Sequence, residues 1–321
     1  MSTTQASFYA SPSSISHRPS SSPPPAPRME EYSQHPTPAQ QEAQAILSHL
    51  LTKLQDPASK YHTRYAKWTT RHPKLEEFCF RCVRPSVWTF LSAAPTWPAL
   101  KAIGGDIKFP GRAIYFDGVL GLDKRPRVYI GQSTNTRLRI GQHFNFRYRR
   151  DNPSLHYHAL QHSSYNVFGV LCALPSPGMG NHTLPGMDCP DLLLNVLEMW
   201  MCLVFRSLPD ETLGEWLPNG VKIEGGFGGL NIAAPVDHGE KEREWVDLSD
   251  SDDPLVREYL AAGDSVEKKS KEVGYQERRR RVGDGELLVH VTPGALLVLG
   301  ATLFVGVWML NRSARARPRW R

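Results

Sequence analysis

Two short apolar runs each carry a tyrosine, Ala113-Ile114-Tyr115 and Tyr129-Ile130-Gly131, and a basic stretch containing Arg139 and His143 follows them. Cutting a phosphodiester requires an activated water, charge stabilisation on the phosphoryl oxygens and help for the leaving oxygen. A guanidinium suits bidentate contact with phosphate. An imidazole titrates near neutrality and can relay a proton. A phenol, with a reference pKa of about 10, needs nearby cations to act as a base. Arg139 and His143 are four apart and share one face of a helix. Glu198 stands alone among Leu193, Leu194, Val196, Leu197, Met199 and Trp200, where a carboxylate is costly to bury unless it is paired or metal-bound. A hard cation such as Mg²⁺ takes oxygen ligands and keeps several waters, so one carboxylate suffices. Plainer readings stand beside these: cross-strand aromatics, a solvated basic face, and a Glu198–Arg206 pair.

The elements that must position these groups alternate between strand and helix over residues 111–235. Ala113 to Gly118 and Arg127 to Gly131 read as strands joined by the turn-rich Gly121-Leu122-Asp123-Lys124. Thr134 to Phe146 reads as a helix, Tyr165 to Leu174 as a third strand, and Asp191 to Arg206 as an apolar helix after a Pro/Gly loop from Pro175 to Pro190. The Gly-rich stretch Gly225 to Pro235 ends in Leu230-Asn231-Ile232-Ala233, and it lacks the spaced glycines of a nucleotide loop. The expected fold class is α/β (α+β), a sheet of about three strands flanked by helices.

In this order and spacing the residues resemble the GIY-YIG nuclease superfamily. Tyr129-Ile130-Gly131 stands as the second signature, with Arg139 eight and His143 twelve residues after the glycine. Ala113-Ile114-Tyr115 stands as the first, with Ala for the leading Gly and its tyrosine fourteen residues before Tyr129. Glu198 matches the family's metal-binding glutamate, and Asn231 its late asparagine. The resemblance covers residues 111–235 and implies a single-metal endonuclease using Mg²⁺ or Mn²⁺ on DNA, branched or flapped DNA included. It implies Tyr115 as leading general base, Tyr129 as a hydrogen-bonder to phosphate or water, and Arg139 on the scissile phosphate. It further implies His143 in proton transfer, Glu198 on the metal and Asn231 as a supporting hydrogen-bonder. The rival expectation is a catalytically silent domain that binds nucleic acid or serves as a membrane-anchored interaction module.

The whole chain of 321 residues has a formal net charge of +6, which favours anionic partners. Nine Lys/Arg lie between Arg112 and Arg150 against only Asp117 and Asp123, whereas Asp237 to Asp253 holds eight acidic residues. Residues 1–37, rich in Ser and Pro, are expected to be disordered, and 38–110 to form a helical extension with a helix from Pro38 to Leu54. Residues 236–286 read as a charged linker. Within it, 246–253 resembles a SUMO-interacting strand with an acidic tail, and an acidic linker is the plainer reading. Five cysteines, an odd number, do not look like a disulfide framework. Cys79 and Cys82 have metal-like spacing without a second such pair. His158 and His162 are four apart but lack the glutamate of the zinc-protease motif.

Residues 287–310 form an apolar run of 24 residues without Asp, Glu, Lys or Arg, followed by a basic tail, 311–321, with five arginines. As a helix it spans about 36 Å, enough for a bilayer core of about 30 Å. Flanking cations mark a tail anchor, which would hold the domain on the cytosolic or nuclear side of a membrane; a nuclear location is the alternative. Alkaline extraction of membranes checks this expectation. The chain should remain in the pellet, and release into the soluble fraction removes the anchor.

Overall fold

In the hairpin of β1 (Ala113–Gly121) and β2 (Pro126–Ser133), β-branched and aromatic residues alternate sides, and the left-handed Lys124 closes the turn. The antiparallel register sets Tyr115 opposite Gly131 and Asp117 opposite Tyr129. β3 (Ser163–Ala173) pairs antiparallel with the other edge of β1. A two-residue strand, β4 (Gly228–Gly229), runs parallel to β2, giving the order β3-β1-β2-β4. This is the expected mixed α/β class with a fourth strand added. A pair of glycines carries no strand pattern, and Gly229 lies so close to the Ser207 backbone that a Cβ there would sit 2.5 Å from its oxygen. The computed structural model describes residues 36–176, 183–239, 245–249 and 251–263. The N-terminal Ser/Pro-rich stretch, except for its last two residues, the apolar run 287–310 and the basic tail lie outside them. Among the described residues no helix is long and apolar enough to cross a membrane.

The two faces of β1 have different fates. Ile114 and Phe116 enter the main core with α9 (Pro190–Val204), whereas Tyr115 packs on the opposite face with Ile140 and Phe168. Helix α9 is buried continuously from Leu193 to Leu203, so it needs cover on both sides. The sheet supplies one side. Helix α1 (Pro38–Gln55) supplies the other, started by Pro38 and a capping box between Thr37 and Gln40, and it buries Ile46, Leu47, Leu50 and Leu54. The Trp200 indole donates to the Ala43 carbonyl at 2.8 Å. Helices α2 (His62–Arg71), α3 (Leu75–Cys82), α4 (Pro85–Leu91) and α5 (Trp97–Ile103) complete this layer. Arg84 ties it to the sheet by donating to the carbonyls of Ile103, Gly104 and Val170. The segment expected as an extension is therefore one wall of a shared core. Cys79, Cys82 and Cys172 are fully buried free thiols; burial pushes all three upward, Cys82 to about 12, against the thiolate that zinc requires.

The single helix expected over Thr134–Phe146 is two: α6 (Thr136–Phe144) and α7 (Phe146–Asp151). Asn145 ends the first and caps the second, accepting from the backbone of Arg147 and Tyr148. Helices α8 (Leu155–Gln161) and α10 (Asp210–Trp216) had no sequence expectation.

The described part of the expected linker is built into the fold. A 3-10 turn spans Pro235–Asp237, the Val246 amide donates to the Ile232 carbonyl at 3.1 Å, and residues 254–263 are helical with Leu255 and Val256 buried. Asp253, the last residue of the SUMO-like stretch, forms a two-pronged pair with Arg127 of β2 at 2.7 and 2.8 Å. Arg127 is 1% exposed and also forks onto Asp123. The charge run thus holds a buried guanidinium instead of facing water throughout. Replacing that fork with an apolar stem of similar length, Arg127→Met, is expected to cost about 2–3 kcal/mol, the scale of charged hydrogen bonds. A urea midpoint measures it, and an unchanged midpoint removes Arg127 from this role.

Candidate active site

Alternation along β1 places Tyr115 and Asp117 on the same face. The Tyr115 phenol is fully buried, so its oxygen must bond within the protein. It lies 2.7 Å from His143 Nε2, and Arg139 Nε donates to it at 3.3 Å. The other imidazole nitrogen, Nδ1, lies 3.0 Å from the Tyr157 hydroxyl. The arrangement that satisfies all four groups has Tyr115 donating to Nε2 and Nδ1–H donating to Tyr157. Room for the phenol depends on Gly131 directly across the hairpin, where a Cβ would sit 2.5 Å from the Tyr115 oxygen. The glycine of Tyr129-Ile130-Gly131 is thus required by the tyrosine of the neighbouring strand.

Tyr129 is half-buried, and its ring lies flat on His156, with centroids 4.0 Å apart and planes 4° from parallel. His156 Nε2 is 2.8 Å from the buried Asp117 carboxylate, which also accepts from Asn166 at 3.1 Å. Burial raises Asp117 well above the usual carboxylate range. Burial, with the charges of Arg139 and Arg149, lowers His156 to about 3. Both shifts disfavour charge on this pair. His143 is lowered to about 2, first by burial and then by His156, Arg139 and Arg149. Burial also raises both phenols, Tyr115 strongly, and Arg139 only partly opposes this.

Tyr129, Arg139, His143, Glu198 and Asn231 line one cavity of about 380 Å³, together with His156, Tyr157 and Gln132. Glu198 reaches it from α9 and is close enough for its charge to act on both Tyr115 and Tyr129. Arg206, the partner considered for it, instead pairs with Glu42 at 2.6 Å. The five cavity residues come from β2, α6, α9 and the loop after β4. Tyr115 belongs to the cluster but stands behind His143, outside the cavity lining. Asn231 has a backbone role: its amide accepts from Ile130 N at 2.9 Å and donates to Ile130 O at 2.8 Å, continuing the ladder where β4 stops. Among the lining residues Glu198 brings a carboxylate and Gln132 an amide oxygen, hard ligands of the kind that Mg²⁺ or Mn²⁺ takes.

Three contributors were absent from the sequence reading. Asp117 was detectable as a carboxylate two residues after Tyr115 on the same strand. His156 and Tyr157 had no signal, because α8 is short and their partners lie far away in sequence. Comparison with protein-family models, with curated proteins and with solved structures finds no match to this chain.

The buried neutral histidines set an acid limb of stability. The unfolded chain takes up a proton at His143 near pH 6.5, but the folded protein does not until about pH 2. Stability is therefore lost as pH falls below about 6.5, by at most about 1.4 kcal/mol per pH unit for each such histidine. Denaturant midpoints at pH 7, 6 and 5 should show this slope, and His143→Gln should flatten it. An equal slope in both proteins would exclude His143 as its source.

Proposed function

We propose that this chain is a metal-dependent endonuclease that hydrolyses DNA phosphodiester bonds through a single-metal site of the GIY-YIG kind. One observation carries the reading: Tyr129, Arg139, His143 and Glu198 wall a single cavity although they come from three separate elements. Mg²⁺ or Mn²⁺ held by Glu198 would supply charge stabilisation on the phosphoryl oxygens when bound. Arg139 anchors the phosphate, its guanidinium fixed by Tyr115, Gln142 and Tyr148. Tyr129 hydrogen-bonds the phosphate or the attacking water from the cavity wall. His143, between two phenols, passes a proton along the Tyr115–His143–Tyr157 chain. A bound phosphate beside Arg139 offsets the cationic repulsion that disfavours the imidazolium in its absence. Tyr115 acts through His143 in this scheme, and Asn231 holds the strand that carries Tyr129.

The exposed surface of α6 and α7 suits unpaired DNA. Leu138, Phe144 and Phe146 are exposed on α6 and α7 among the exposed Arg137, Arg147 and Arg150. Aromatic faces between cations stack bases and hold phosphates without reading sequence, which supports branched or flapped substrates. The membrane anchor of residues 287–310 and a SUMO-like partner at 246–253 remain part of the proposal. A second reading, a silent nucleic-acid-binding domain, draws on the engagement of both His143 ring nitrogens by protein phenols.

Cleavage of flapped, branched and linear DNA with Mg²⁺ or Mn²⁺ tests the proposal. Glu198→Ala should lower cutting at least about 100-fold with little change in binding, on the scale of losing transition-state charge stabilisation. Arg139→Ala should weaken both. Equal cutting by the wild type and Glu198→Ala overturns the mechanism, and DNA binding without cutting by the wild type selects the second reading.

A further inference from the structure

His158 lies in the last turn of α8 and His162 is its C-cap, so the two rings lie on one side with centroids 4.3 Å apart. Glu258, from the helix of residues 254–263, comes to the same place, and Tyr259 lies beside the His158 ring at 5.7 Å. One ligand atom from each of His158, His162 and Glu258 lies within 4.8 Å of the others. We propose that these three side chains bind one Zn²⁺-like divalent cation, which clips the 254–263 helix onto α8.

Three observations carry this assignment. His162 Nε2 and Glu258 Oε1 are 3.5 Å apart, too far for a strong hydrogen bond. Two ligands of a tetrahedral zinc, each about 2.0–2.2 Å from the ion, stand roughly 3.4 Å apart. His162 Nδ1 lies 3.0 Å from the His158 carbonyl oxygen. Donation there fixes the tautomer and leaves the lone pair on Nε2, the usual support for a metal-bound imidazole. His158 Nε2 is buried with no hydrogen-bond partner among the described residues, an arrangement that a cation would resolve. Burial and the neighbouring His162 also disfavour charge on His158, as a ligand requires.

Two imidazoles and one carboxylate select a borderline cation, with the fourth position left to water. That choice separates this site from the carboxylate and amide oxygens of Glu198 and Gln132. The clip has a mechanical consequence. Asp253, at the start of the clipped helix, holds Arg127 of β2, and Arg127 pairs with β4 at the edge of the candidate active site. The cation would thus stiffen the strand that carries Tyr129 without touching substrate.

The test uses the full untagged chain, stripped with chelator and kept in excess Mg²⁺. Titration with Zn²⁺ by calorimetry, and with Co²⁺ by visible absorption, should show one equivalent bound at micromolar or tighter affinity with a four-coordinate Co²⁺ spectrum. Glu258→Gln should weaken binding at least tenfold, and His162→Ala should abolish it. Glu258 is solvent-exposed, so its variant keeps the fold and decides the matter if His162→Ala folds poorly. Zn²⁺ should raise the thermal midpoint of the wild type and not of Glu258→Gln. Glu198→Ala should bind Zn²⁺ as the wild type does. Absence of stoichiometric binding to the wild type, or binding unchanged in Glu258→Gln and His162→Ala, overturns the proposal; the latter result would put the ion on other ligands.

Discussion

A phenol with no access to water must find its hydrogen bonds inside the protein, and the site is organised around that constraint at Tyr115. Its oxygen receives Arg139 and faces His143, so one buried atom fixes two functional groups on α6. The same phenol dictates glycine at position 131. Position 131 sits two residues after Tyr129 and one before Gln132, so the spacing of the second strand follows from the first tyrosine. Helix α6 needs Asn145 to stop it so that Tyr148 of α7 returns to hold the outer edge of the guanidinium. Losing the phenol would therefore release several groups together, and the effects of substitutions here should not add.

The arrangement is electrically guarded. Burial disfavours charge on His143, His156 and Asp117, and among the described residues that line the cavity the guanidinium is that of Arg139. Glu198 lines the same cavity. A cavity lined by one guanidinium and one carboxylate offers a partner to an anion and to a cation alike.

Much of this layout was legible in the sequence because its signals are local. The tyrosines sit in β-patterned runs, Arg139 and His143 share a helical spacing, and the lone acid of an apolar helix draws attention at Glu198. The third strand and the helices over Pro38–Gln55 and Pro190–Val204 were legible for the same reason. What was missed is long-range or short-lived along the chain. A two-glycine strand has no periodicity, and Asn145 divides a helix through capping chemistry that an amphipathic pattern does not carry. Asp253 reads as one more acid in a charged run until Arg127, 126 residues earlier, reaches it. His156 meets Asp117 across 39 residues, so its role depends on a fold that must already be known.

Asn231 also constrains how the protein is made. Its amide stands in for a peptide unit against Ile130, from 101 residues further along the chain. As the chain emerges during synthesis, the hairpin can form early from neighbouring residues, but the outer edge of β2 stays open until the loop arrives. An exposed strand edge invites pairing with other chains. The same side chain that completes the cavity wall therefore ends a vulnerable interval, and the cavity is whole only when that edge is sealed.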